Sequence, residues 1–203
     1  MEKRICMLFL GIMLLFLAGC APAAGSLQPG EVRALPLTEE EESLLALAGS
    51  GESTCGLYSC AWDGTSDQLK LEFLSRVDGE WVTVTDLAGV DYSGGKARET
   101  CRFGVVLTED VLTVNLEDGY SVSIPLAGLR PELAETSDWA TGRSWSEGGI
   151  CQAGERLPLY MEVRSAGSKP MQSDWMDSFS NPERLNSYDH AYAITAVFCG
   201  ADE

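Results

Sequence analysis

The chain has 203 residues, 45% of them hydrophobic and 22% charged, with 31 acidic against 14 basic side chains and a formal charge of −17. That is enough chain for one domain with a sizeable core, and the ordinary charged fraction excludes wholesale disorder. Such an acid excess cannot neutralise a run of phosphates, which excludes nucleic acid as a partner, and a single histidine excludes any site built on two.

Lys3 and Arg4 open the chain with positive charge, and Ile5 to Leu17 is almost unbroken apolar sequence. As a helix that run reaches roughly 20 Å, short of the ~30 Å hydrocarbon core, so its length suits a signal peptide better than a permanent span. It ends in Leu17-Ala18-Gly19-Cys20. This tetrapeptide resembles the lipobox of bacterial lipoproteins, and the resemblance covers residues 1–20 only. It implies a cleaved signal peptide over 1–19, a diacylglycerol thioether on Cys20, and usually acylation of the new amino group. Lipidated Cys20 is then the membrane anchor, with everything after it outside the cytoplasm. Two or three acyl chains hold firmly where one holds marginally, at about 0.8 kcal/mol per buried methylene. Loss of Glu2, Lys3 and Arg4 with the signal leaves 12 basic and 30 acidic residues, a charge of −18. An anionic bilayer repels such a domain, so attachment rests on the lipid.

Residues 20–37 mix Ala, Gly, Pro and Ser without periodicity and read as a flexible tether. Thr38 and Glu41 have capping-box spacing. Leu44, Leu45 and Leu47 supply an apolar stripe, and Gly49 ends it, so 38–49 reads as one short N-terminal helix. A helix this short is unstable alone and must dock on the domain or fray.

Residues 50–203 read as a single β-rich domain. From residue 54 the apolar period becomes two. Leu69, Leu71 and Phe73 alternate with Lys70 and Glu72, and Asp78-Gly79 offers a two-residue hairpin loop before Trp81. That loop sets Ser75 against Val82, Phe73 against Val84, and Arg76 against Trp81 as a cation–π pair. Around Glu109-Asp110 every facing pair is apolar: Leu107 with Leu112, Val105 with Val114, Phe103 with Leu116. At Glu117-Asp118-Gly119 a three-residue loop with Gly119 left-handed pairs Leu112 with Ile124, Val114 with Val122 and Leu116 with Tyr120. A two-residue loop would set Val114 and Leu116 against serines, so the three-residue register is preferred. A strand returns at Leu157–Val163. His190–Cys199 is apolar on both faces and reads as a central strand. Short strands joined by Gly/Asp turns predict an all-β fold, an antiparallel β-sandwich or a barrel-like closure of it.

Cys6 leaves with the signal and Cys20 takes lipid, so Cys55, Cys60, Cys101, Cys151 and Cys199 remain, an odd number. An exported location permits disulfides, and the pairing stays open. Cys55 and Cys60 on one extended strand would stand ~16 Å apart on opposite faces, beyond disulfide reach. With no CxxC pair and one distant histidine, no metal site is expected, and no cofactor motif is present.

The catalytic search yields little. His190, the only imidazole, opens an apolar strand and reads as structural. Gly142-Arg143-Ser144-Trp145-Ser146 lacks the last glycine of a nucleophile elbow. Asp63-Gly64-Thr65-Ser66-Asp67 reads as a turn, not a calcium loop. Trp139 and Trp145, in a Gly-rich stretch without clear pattern, are the candidate ligand-binding residues, since exposed aromatics stack on sugars or anchor proteins. The sequence therefore points first to a lipid-anchored extracytoplasmic binding or recognition domain, with a protein or glycan as ligand. The alternatives are an envelope structural or accessory protein contacting another membrane or wall component, and a cell-surface hydrolase using paired carboxylates or His190.

Overall fold

The computed structural model describes residues 26–39, 54–92, 100–108, 110–130, 139–167 and 175–200. The signal peptide, Cys20, and all but the first two residues of the expected helix at 38–49 lie outside them. Among the described residues, eleven strands form two open antiparallel sheets. The first sheet holds β1 (Glu31–Ala34), β2 (Thr54–Ala61), β5 (Thr100–Leu107), β6 (Val111–Leu116), β7 (Ser121–Pro125) and β9 (Gly148–Ile150), in the order β7-β6-β5-β2-β1-β9. The second holds β3 (Gln68–Val77), β4 (Glu80–Asp91), β8 (Trp139–Trp145), β10 (Leu157–Ala166) and β11 (His190–Cys199), in the order β4-β3-β11-β10-β8. Among the described strands neither sheet joins its first to its last, so both sheets are open. A four-residue helix, α1 (Leu126–Leu129), follows β7 and buries Leu126 and Leu129.

Local turn chemistry sets the hairpins. Asp78 and Gly79 both have positive φ, 51° and 93°, as a two-residue loop of type I′ requires. Gly119 has φ 90°, and the β6–β7 register follows the three-residue loop, with Leu112 facing Ile124 and Val114 facing Val122. Leu116 N–H donates to the Tyr120 carbonyl at 2.8 Å and closes that loop. The β5–β6 pairs Leu107–Leu112, Val105–Val114 and Phe103–Leu116 also form. β11 is central, between β3 and β10.

Three expectations are corrected. Residues 31–34, placed in the tether, form β1, hydrogen-bonded between β2 and β9. Ser75 does face Val82, but the register then slips by one residue between Leu74 and Phe73, so Phe73 faces Thr85 and not Val84. Val84 is 43% exposed, like the in-register Val82 at 46%, while Phe73 stays buried. Arg76 does face Trp81. The Trp81 ring, however, stacks on Phe179 at 5.2 Å, and the Arg76 guanidinium bonds Asn186.

Both sheets contribute to one core. Val32, Tyr58, Phe103, Val105 and Leu112 from the first meet Leu71, Phe73, Leu159, Tyr192, Ile194 and Phe198 from the second. The second sheet buries its other face as well. There Leu74, Met161, Val163, Ala191 and Ala193 pack beneath Trp175 and Leu185. The covering segment includes two 3-10 turns, Met176–Ser178 and Pro182–Leu185. The described part of the connection before β11, from Trp175 on, is therefore a second, smaller apolar layer.

Candidate functional site

The outer face of the first sheet has no such cover among the described residues. Along β5, Cys101, Phe103, Val105 and Leu107 point into the core, so Arg102, Gly104 and Val106 point out. The outward face of β6 and β7 is polar as alternation demands: Thr113 and Ser123 share a hydroxyl hydrogen bond of 2.9 Å, and Ser121 donates to Asn115 at 2.8 Å. Between β2 and β5 the alternation breaks. Cys55, Leu57 and Val106 stand where polar residues are expected, and with Leu37 they line a groove of about 310 Å³.

Gly104, directly opposite Leu57, forms the floor. A Cβ at Gly104 would lie 3.6 Å from Leu57 Cδ1 and 4.0 Å from the Gly56 carbonyl oxygen, ordinary contacts. A side chain would thus fit there and fill the depression. The rim is polar, with Arg102, Asn115 and Glu117, and the Arg102 N–H donates to Glu117 at 3.1 Å. The volume lies at the lower end of small-ligand sites, which are mostly apolar with a few polar groups.

The tryptophans singled out by sequence lie elsewhere. Both are half-buried on β8, at its opposite ends. Trp145 packs on Tyr160 at 4.7 Å, covers Gly56, and donates its Nε1 to Thr54. A Cβ at Gly56 would come within 2.5 Å of the Trp145 ring, so that glycine is what admits the indole. Trp139 meets the His190 ring edge-on at 5.0 Å, and its Nε1 is buried without a hydrogen-bond partner. His190 stands at the first position of β11, opposite Arg164 and 6.4 Å from the Tyr192 ring. The structure therefore joins Trp139 to His190, and neither tryptophan lines the groove. Asp63 makes the expected turn: its carboxylate accepts from the backbone N–H and hydroxyl groups of both Thr65 and Ser66. Burial raises the Asp63 carboxyl, but these hydrogen bonds outweigh it and hold the group below its ordinary range.

A charge cluster that the sequence reading missed centres on Glu162, which is fully buried. Its carboxylate accepts from Tyr160 Oη at 2.7 Å, Arg164 Nε at 2.6 Å and Arg143 Nε at 3.2 Å. Arg130 Nη1 adds an ion pair at 3.2 Å. Arg130 follows α1 and reaches over the Tyr192 and Phe73 rings, at 4.9 and 5.6 Å from their centroids. Its Nε and Nη2 are buried without hydrogen-bond partners. Burial favours the neutral acid, yet Arg130, Arg164 and the Tyr160 hydroxyl prevail, and the Glu162 pKa is lowered. A carboxylate held ionised by guanidinium groups is a poor general acid, and among the described residues no second carboxylate joins it in this cluster. The hydrolase alternative gains nothing from it. The sequence signal was slight: Glu162 and Arg164 in an apolar strand. The pairing needs Arg130 from outside the second sheet.

Comparison of the chain with protein-family models, with curated proteins and with solved structures gave no match in any of the three.

Proposed function

We propose that the protein is a lipid-anchored extracytoplasmic recognition domain, a β-sandwich held at the cell membrane through Cys20. It binds a protein partner on the outer face of the six-stranded sheet. The observation that carries this reading is the apolar groove beside Gly104, on the face that no described segment of the chain covers. An apolar side chain of the partner seats there. The acid excess selects a partner whose anchor is flanked by basic residues, because complementary charge speeds encounter and disfavours acidic competitors. The anchor itself is supported by the lipobox resemblance at Leu17-Ala18-Gly19-Cys20.

The test uses the mature lipoprotein in phosphatidylcholine nanodiscs and an acetylated Lys-Lys-Leu-Leu-Lys-Lys peptide as probe. The methyl resonances of Leu57 and Val106 should shift on titration, and the shifts should weaken as salt rises. Gly104→Leu should abolish them while leaving the resonances of the core in place. Absent shifts, or shifts that Gly104→Leu leaves unchanged, would overturn the groove as the binding site. Mass spectrometry of the mature protein tests the anchor: an unmodified N-terminus beyond Cys20 would refute it.

A further inference from the structure

Cys60 on β2 and Cys101 on β5 occupy directly opposed positions of the ladder. Both point into the core, with 0% and 6% of their surface exposed, and their sulfurs are 3.0 Å apart. Opposed residues on antiparallel strands have Cα atoms about 4.5–5.5 Å apart, inside the roughly 4.4–6.8 Å that a disulfide spans. Side-chain rotation alone can therefore join them. The neighbouring cysteines are arranged differently. Cys55 faces outward opposite Val106, and Cys199 lies on the other sheet opposite Gln68. The Cys151 thiol donates to the Ala196 and Glu155 carbonyls.

We propose that Cys60 and Cys101 form a modification site that takes a cross-strand disulfide by exchange with an organic disulfide. One thiolate attacks a sulfur of R–S–S–R and releases RS⁻. The second thiolate attacks the protein sulfur of that mixed disulfide and releases another RS⁻. Two protein thiols lose two protons and two electrons, and one organic disulfide is reduced to two thiols. Hydrogen bonds from the Cys60 thiol and the Tyr92 hydroxyl hold the Cys101 thiol below its ordinary range, against burial, which favours exchange through Cys101. The bond closes a ring over a separation of 41 residues that contains β3 and β4. It thereby staples β2 to β5 within the first sheet and encloses the β3–β4 hairpin of the second in a covalent ring.

The site depends on the proposed location only for where the oxidant is met, so the chemistry can be tested apart from it. The mature lipoprotein is cycled through urea in oxidised and reduced glutathione, or in dithiothreitol, then alkylated and mapped by mass spectrometry. The glutathione sample should lose two hydrogens and yield a peptide linking Cys60 to Cys101. Its Tm should exceed that of the reduced sample by roughly 8–16 °C. Cys60→Ser and Cys101→Ser should each remove the linked peptide. The wild-type map decides the matter even where a variant does not fold. Alkylation of both residues after glutathione treatment, or a link from either one to Cys55, Cys151 or Cys199, would overturn the proposal.

Discussion

The two sheets of this protein obey the same alternation and end in opposite conditions. The six-stranded sheet buries one face and presents hydroxyls, amides and a short apolar groove on the other. The five-stranded sheet buries both: its inner face in the common core, its outer face under Trp175 and Leu185. On the inner face of the second sheet Glu162 is fully buried, and its charge is held by three arginines and a tyrosine hydroxyl. The five-stranded sheet is packed on both faces, and the six-stranded sheet has one face uncovered among the described residues.

The largest way to break that distinction is to remove the buried charge. Glu162→Gln leaves the enclosed Arg130 guanidinium without its carboxylate and should cost about 3–5 kcal/mol in urea unfolding. The same group sets a pH dependence. The folded-state pKa of Glu162 lies below the ordinary 4.5, so its stabilisation is fully present above that value. It is lost as pH falls through the lower folded value. Wild type should therefore lose stability on acidification below about pH 4.5, and Glu162→Gln should lose less over the same range. Parallel acid titrations of the two would contradict this.

Removing the outer cover comes next. Leu185 is fully buried over the five-stranded sheet, and Leu185→Ala should cost about 2–5 kcal/mol. A cost near zero would mean that the second layer is not a packed core. Gly119→Val sharpens the account of the other sheet. No atom lies within 4 Å of a Cβ at that glycine, so the expected loss of about 1–3 kcal/mol comes from left-handed backbone alone. An unchanged denaturation midpoint would argue against the three-residue loop. The smallest effect belongs to the open face: Thr113→Ala deletes a solvent-exposed hydroxyl pair with Ser123 and should change stability by less than about 0.5 kcal/mol. A loss comparable to Leu185→Ala would show that this face is covered after all.

The chain by itself determined what is local. Period-two alternation placed β3 to β7, β10 and β11, whereas β1, β8 and β9 lie in stretches that show no such pattern. Asp78-Gly79 and Gly119 set their hairpins because positive φ at those positions admits one loop geometry each. Apolar residues on both faces of β11 marked it as a strand covered on both sides, and it lies between β3 and β10. Tertiary structure decided everything that joins distant segments. The slip that sets Phe73 against Thr85 arises in the pairing of β3 with β4 and not in the loop that joins them. The meeting of Cys60 with Cys101 depends on β2 pairing with β5 across an intervening hairpin. The tryptophans that looked exposed in a Gly-rich stretch are packed because Gly56 admits one indole and His190 meets the other. Arg130 reaches Glu162 only once the two sheets stand together. The groove likewise exists only because Leu57 and Val106 come side by side over Gly104. A period-two pattern specifies which way a side chain points along its own strand. It carries no information about which strand lies alongside, because that choice is made by long-range packing.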